Sequence, residues 1–343
     1  IPIIADSYVK SDFGTGCLKI TPAHDPNDFE IGRRHNLPMI TVMDEQGHMN
    51  DQCPEAIRGQ ERFVARKTIV KLLKSQNLLD DIKNYTHVVP YSSRSKVLIE
   101  PRLSKQWFVK MKPLAESAIK YAKKDELHFY PASYKKVYLN WLENIQDWCI
   151  SRQLWWGHQI PIWYCRDCGK PSTAEQDPTS CEHCGSNELT QDTDVLDTWF
   201  SSWLWPLSPL GWPEEKTPEL ETFFPSQVLV TASDIIFLWV ARMIMLSHYL
   251  KKELPFKDIY FNSIICDKQG RKFSKTLGNG IDPIEVIENY GTDATRYTIV
   301  SLAPIGGRVP IDIKDFDNGK RLVNKLWNAS RFLGQHLGDK PTG

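Results

Sequence analysis

Apolar positions along the chain recur with two periods, and together they predict strands alternating with helices. The largely apolar run Ile259 to Cys266 predicts a strand, and Pro225 to Val230 predicts another. Between them lies the polar turn Thr231-Ala232-Ser233-Asp234, followed by Ile235-Ile236-Phe237-Leu238-Trp239-Val240-Ala241-Arg242-Met243. That segment is apolar on every side, so it predicts a buried helix, with Ser233 or Asp234 able to cap it. Asn279 to Glu285 reads as a turn and then a capped helix: Asp282 at the N-cap, Pro283 at the first position and Glu285 closing a capping box. Helices are predicted over Ile284–Tyr290 and Asp293–Leu302, ending at Gly291 and Pro304, and over residues 317–337. The aromatic-rich run from Tyr138 predicts an amphipathic helix and then a buried strand ending at Pro161. Nearer the start, a glycine turn (Asp12 to Gly16) enters a short alternating strand over Cys17–Ile20. A Pro/His/Asp-rich loop follows, then a helix carrying Phe29, Ile31 and Arg33. Strand, polar turn and helix in succession is the α/β arrangement that places ligands at strand carboxyl ends.

Composition narrows the class. A chain of 343 residues with 41% apolar content can bury two or more cores. The formal net charge is zero, so no overall basicity announces nucleic acid, although a basic surface can be confined to one face. The run Ile235–Ala241 is broken by Arg242, short of the roughly 20 apolar residues that span a bilayer, and no membrane role is expected. Eight cysteines, four of them in two close pairs, suit a reducing cytoplasm and a metal better than a disulfide scaffold. The chain opens at Ile1 in mid-pattern and is expected to be a fragment.

Three clusters carry candidate chemistry. Cys165-x2-Cys168 and Cys181-x2-Cys184, each followed by a glycine (Gly169, Gly185), match the ligand set of a closed structural zinc ribbon; cysteines that merely pack are the plainer alternative. Lys272, Ser274 and Lys275 lie in a glycine-bracketed segment, Gly270 to Asn279, that can meet phosphate charge. By residue type alone the same segment is also an ordinary solvated loop. Asp25 and Asp28 lie on neighbouring positions of one helix face at its entrance, where they serve equally well as caps.

Lys272-Phe273-Ser274-Lys275-Thr276, followed by Gly278-Asn279-x-Ile281-Asp282-Pro283 and by Tyr290 to Arg296, resembles the second signature of class I aminoacyl-tRNA synthetases. The resemblance implies that this loop closes over ATP and that its lysines stabilise charge on the departing pyrophosphate. Phe273 and Thr276 replace the usual Met and Ser and are read as packing variants. It further implies that Asp234 meets the ribose of ATP, and that Trp199, Ile235 and Trp239 wall a valine pocket. Relatives often have Gly at the position of Ala232. Phe13-Gly14-Thr15-Gly16 with Lys19-x-Thr21-Pro22-Ala23-His24-Asp25-Pro26-x-Asp28 is similar to the editing domain of the valyl branch. By that resemblance Asp28 holds the α-ammonium of a misattached amino acid. Lys19, Thr21 and Asp25 surround the threonine hydroxyl and ester, and Phe13 packs on the terminal adenosine. Such a second sieve is needed because an apolar pocket cannot strongly reject threonine, a near isostere of valine; synthetases of this branch are the standard illustration of that argument.

The resemblance runs the full length. Ser151-Arg152-Gln153-Leu154-Trp155-Trp156-Gly157-His158 and Lys325-Leu326-Trp327-Asn328-Ala329-x-Arg331-Phe332 again fit the valyl branch. It implies an α/β fold comprising the second half of a Rossmann-type catalytic domain, with part of a β-rich editing domain, a zinc ribbon insert and a helical stem-contact region. The expected divisions are 1–104 (editing), 105–164 (return to the catalytic domain), 165–190 (zinc ribbon), 191–265 (catalytic), 266–316 (signature loop and stem contact) and 317–343 (first helix of an anticodon-binding bundle). Valine, ATP with Mg2+ and tRNA(Val) are the implied substrates, acting on a cytoplasmic monomer that carries structural Zn2+. The family's first signature, His-x-Gly-His, occurs at none of the nine histidines, so the isolated chain is not expected to make valyl-adenylate. An isoleucyl or leucyl relative, or a non-catalytic zinc-ribbon module that binds tRNA, is the rival reading.

Overall fold

The computed structural model describes residues 2–93, 95–214, 216–274 and 277–337. The chain divides into two compact units, Ile1–Lys105 and Gln106–Gly343.

Among the described residues the first unit has two α-helices. Helix α1 (Pro26–Arg34) starts where the Asp25 carboxylate accepts the amides of Asn27 and Asp28, with proline at the first position where its missing N–H costs nothing. Helix α2 (Arg62–Ser75) is capped in the same way by Glu61. Ala65 of α2 packs with Cys53 and Ile57 in a small core flanked by Val42, Met49 and Leu72. The segment Cys17–Ile20 forms no ladder among the described residues, so the expected strand is unpaired chain. Among the described residues, pairing here is confined to isolated bridges such as Met43–Met49 and Tyr91–Leu98.

In the second unit, β1 (Phe108–Val109) and α3 (Met111–Lys123) lead to β2 (His128–Tyr130) and α4 (Tyr134–Glu143). Strands β3 (Trp148–Cys149), β4 (Ser151–Arg152), β5 (Ile162–Cys165), β6 (Pro171–Thr173), β7 (Leu189–Gln191) and β8 (Val195–Leu196) follow. Next come α5 (Thr198–Ser202), α6 (Pro218–Phe223), β9 (Val228–Ala232), α7 (Ala241–Lys251), β10 (Asp258–Asn262) and β11 (Ile264–Cys266). Helices α8 (Pro283–Tyr290) and α9 (Thr292–Leu302), strand β12 (Arg308–Pro310) and helix α10 (Phe316–Leu337) complete it.

Strand β10 lies between β2 and β9, parallel to both, with Ile259 opposite Phe129 and Leu229. Ile259 and Phe261 are fully buried, packed with Tyr138, Met243, Ile244 and Met245. Helix α3 turns Met111, Ala115, Ala118 and Ala122 inward at spacings of three and four, and the small alanines admit close approach to α7. A second core of Val286, Val309, Ile311 and Phe316 gathers α8, β12 and α10, and β12 pairs in parallel with β11.

Several boundaries differ from the pattern. The run Ile259–Cys266 is two strands broken at Ser263, whose hydroxyl turns to the Pro304 and Gly306 carbonyls; β10 then serves one sheet and β11 another. The strand expected from Pro225 begins at Val228, because proline lacks a ladder N–H and the Ser226 amide is already given to Pro255. The buried strand expected to end at Pro161 begins after it instead, at Ile162. Neither Ser233 nor Asp234 caps the buried helix, which enters through a 3-10 turn (Ser233–Ile235) and a π turn (Ile236–Val240). Asp282 caps α8 through the Ile284 amide at 2.8 Å, while no reciprocal bond from Glu285 is seen among the described residues. Ser233–Lys251 is longer than the broken run suggested, and by length and composition it could cross a membrane. Ile236, Val240, Ala241 and Met243–Leu246 instead spend its apolar surface on the core.

Candidate active site and metal site

The parallel pairing of β9 and β10 brings Ala232 opposite Asn262, so the chain segments leaving both strands emerge side by side. The first runs at once into Ser233 and Asp234. The second passes through β11 into a tight hairpin in which Cys266 bridges Lys272 and Gly270 turns at φ +77°. Across this space the Lys272 ammonium meets the Asp234 carboxylate at 2.5 Å. Two residues that the sequence assigned to one ligand are thus in contact, although both are partly exposed and the pair by itself adds little stability. Lys275 and Thr276 lie outside the described residues; Ser274 is described.

Asp267 and Asn279, neither singled out as a site residue from sequence, hold this loop. The buried Asp267 carboxylate accepts the amides of Gln269 (3.0 Å) and Arg271 (2.8 Å) on one oxygen. Its other oxygen accepts Arg271 Nε (2.8 Å) and Asn279 Nδ2 (2.9 Å). The amide oxygen of Asn279 then accepts the Ser274 N–H at 2.9 Å, so one carboxylate ties both ends of the signature loop. These donors, Asn279 foremost, hold the Asp267 carboxyl down to about 2. The signal available in the sequence was Asp267-x-x-Gly270, an Asx turn followed by a glycine able to adopt positive φ.

Of the residues expected to wall a valine pocket, Ile235 follows Asp234 directly in the same turn. Trp199 and Trp239 are half-buried at the rim of the main core. The Trp239 indole N–H donates to the Ser202 carbonyl at 2.9 Å, binding the π turn to α5, which begins one residue before Trp199.

In the first unit, Lys19 donates to the Thr21 hydroxyl at 3.2 Å, and the Thr21 amide and hydroxyl bond the buried Asp28 carboxylate at 2.7 and 3.2 Å. Asp25 does cap α1, with both of its bonds on one oxygen. Phe13 stands exposed on the glycine turn. His24 Nε2 accepts the Val42 amide, so its proton is on Nδ1, which donates to the Pro101 carbonyl; the ring braces the loop that carries Asp25.

The four paired cysteines converge. Their sulfurs all lie within 4.8 Å of one another, with Cys165–Cys184 at 3.6 Å and Cys168–Cys181 at 3.7 Å. Sulfurs on a tetrahedron around zinc at ~2.3 Å would be roughly 3.8 Å apart, so the group can hold such an ion with little movement. Gly169 and Gly185 make the two knuckle turns at φ +69° and +76°, and β5 pairs with β6 and β7 to form the ribbon. The His183 amide, aimed at the Cys181 sulfur, draws that thiol down to about 6. At Cys184 the Ser186 amide acts in the same sense, but the three neighbouring thiols outweigh it and push the group up to about 12. Four thiolates this close repel one another unless a cation lies between them.

The family described as tRNA synthetases class I (I, L, M and V) matches residues 25–312. The valine--tRNA ligase of Petrotoga mobilis is 52% identical over 339 residues, which is 99% of this chain and 39% of that protein. The valine--tRNA ligase of Thermotoga maritima gives the same figures. The chain thus spans about two fifths of the length of these curated relatives. Among solved structures, Mycobacterium tuberculosis methionyl-tRNA synthetase bound by methionyl-adenylate is similar in fold. Its TM-score is 0.50 at 16% identity, over 67% of this chain and 40% of that one.

The Asp267 buckle has a pH signature. Its folded pKa lies below the ordinary 3.8, so its contribution is complete above that value and is lost as pH falls through about 2. The protection factors of the Arg271 and Ser274 amides against hydrogen exchange should fall between about pH 4 and pH 2, and Asp267→Asn should abolish that step. Equal protection across the window would remove Asp267 from this role.

Proposed function

The chain belongs to the class I tRNA synthetases of the isoleucyl, leucyl, methionyl and valyl group, and we propose that it is part of an enzyme that joins valine to tRNA(Val) at the expense of ATP. The observation that carries this reading is the contact of Lys272, in the loop beyond β11, with Asp234, just past the end of β9, in a chain 52% identical to valine--tRNA ligases. In this reading Asp234 takes the ribose of ATP and releases Lys272 to the phosphates. Lys272, Ser274 and Lys275 then face the charge that develops on the departing pyrophosphate, with Mg2+ sharing that charge. Cations positioned for that moment lower the barrier more than they strengthen ground-state binding. Trp199, Ile235 and Trp239 enclose the valine side chain, and the Asp267–Asn279 buckle sets where the lysines stand.

Hydrolysis of threonyl-tRNA is assigned to the first unit. Asp28, buried and bonded to Thr21, takes the α-ammonium; Lys19, Thr21 and Asp25 surround the ester; Phe13 packs on the terminal adenosine. Cys165, Cys168, Cys181 and Cys184 would hold one structural zinc, whose bound charge would keep all four as thiolates. The enzyme acts as a cytoplasmic monomer, and the basic face of α10 near Lys320, Arg321, Lys325 and Arg331 would meet tRNA.

In the protein expressed at the full length of its relatives, Lys275→Ala should slow valine-dependent pyrophosphate exchange by at least ~100-fold, with a smaller change in valine KM. An unchanged rate would rule that role out. Asp28→Ala should leave activation intact while threonyl-tRNA accumulates; deacylation at the parental rate would overturn the editing assignment. Metal analysis should find one zinc per chain, and Cys168→Ser should lower the thermal midpoint, because binding energy at such a site is folding energy. Well under one equivalent in protein never exposed to chelator would exclude the zinc site.

A further inference from the structure

Behind the two tryptophans lies a buried charged cluster that none of the roles above uses. Asp197 is nearly buried; its Oδ2 accepts the Trp148 indole N–H at 2.9 Å and the Arg152 guanidinium at 2.7 Å. Its Oδ1 faces the Trp199 amide at 3.5 Å, capping α5. Arg242, only 7% exposed, stacks its guanidinium 3.5 Å from the centre of the Trp148 ring and brings Nη1 to 3.9 Å from Asp197. Its Nε and Nη1 have no hydrogen-bond partner among the described residues. Trp148 is packed in turn on Trp203 and Phe200 of the same segment. Arg242 lies three residues after Trp239, one turn along the same helical path, and Trp239 is tied to α5 through Ser202.

A methionine would fill this place without leaving buried N–H groups unpaired. What it could not supply is a flat cation that touches both the ring fixing Asp197 and Asp197 itself. We propose that Arg242 is a positioning residue for amino-acid selectivity: through Trp148 and Asp197 it fixes α5, and with it Trp199, relative to Trp239 on its own helical path. The gap between the two indoles, and hence the size of side chain accepted, is set by this cluster rather than by the indoles alone. This inference rests on the assignment of Trp199 and Trp239 to the valine pocket.

The test uses the full-length enzyme, valine and its smaller homologue 2-aminobutyrate, which lacks one methyl group. The parent is assayed first; a parent with no valine-dependent exchange would refute the valine-pocket reading itself. Given an active parent, Arg242→Met should raise valine KM about tenfold with kcat and the KM for ATP within about twofold. The preference for valine over 2-aminobutyrate should fall by a similar factor. Asp197→Asn, which keeps the capping oxygen and removes the charge, should do the same and carries the test if Arg242→Met does not fold. Unchanged valine KM and selectivity in a folded variant would overturn the proposal. So would an equal loss of kcat for both amino acids, or a failure of both variants to fold, since the cluster would then be scaffold only.

Discussion

Strand β10 must keep one face in the core while it is paired on both edges, and it does so between β2 and β9: Ile259 and Phe261 are buried, whereas Tyr260 lies on the more exposed face beside Tyr130 and Val230. Ile259 and Phe261 have no exposure, so the register with β9 cannot slip by a residue without turning them toward the opposite face. The fixed register makes Ala232 and Asn262 neighbours and sends both outgoing segments from the same end of the sheet. Asp234 and the Lys272 loop meet for that reason. Their own attraction, partly screened by water, is a consequence of the sheet rather than its cause.

The loop beyond β11 faces a different problem. It carries several cations near one another and bends through glycines, with Phe273 packed against the second core. A buried carboxylate solves this: Asp267 accepts four donors, and through Asn279 it reaches Ser274 at the far side of the loop. The cysteine cluster would follow the same logic with the charge reversed, since four sulfurs within 4.8 Å could hold a cation at their centre. At Asp267 a short polar segment gains order from charge and directed hydrogen bonds.

The buried helix shows how local preference yields to tertiary demand. Ser233 and Asp234 are good caps, yet neither caps. The path instead tightens into a 3-10 turn and then widens into a π turn, a form common where a side chain must be re-aimed. The re-aimed residues here include Trp239, which reaches α5, and then Arg242, which reaches Trp148. Asp234 is left to meet Lys272.

Local chemistry alone determined a good deal. Asp25-Pro26 and Asp282-Pro283 specified helix starts because a carboxylate and a missing N–H act within one turn, and α8, α9 and α10 came out within a residue or so of their patterns. Cys-x2-Cys-x12-Cys-x2-Cys specified a converging ligand set because each knuckle closes on itself. The motifs around Lys272 and Asp28 marked candidate chemistry, but gave no account of what holds those residues in place. Tertiary structure decided the rest. It broke Ile259–Cys266 at Ser263 because the two halves pair with strands remote in sequence, it delayed the strand expected from Pro225 to Val228, and it placed after Pro161 the strand expected to end there, because ladder partners fix where a strand lies. It also made a loop anchor of Asp267 and a buried cation of Arg242. Neither role can be read from a neighbour in sequence, because each depends on partners that only the folded chain brings within reach: Asn279 twelve residues away for the first, Trp148 and Asp197 for the second.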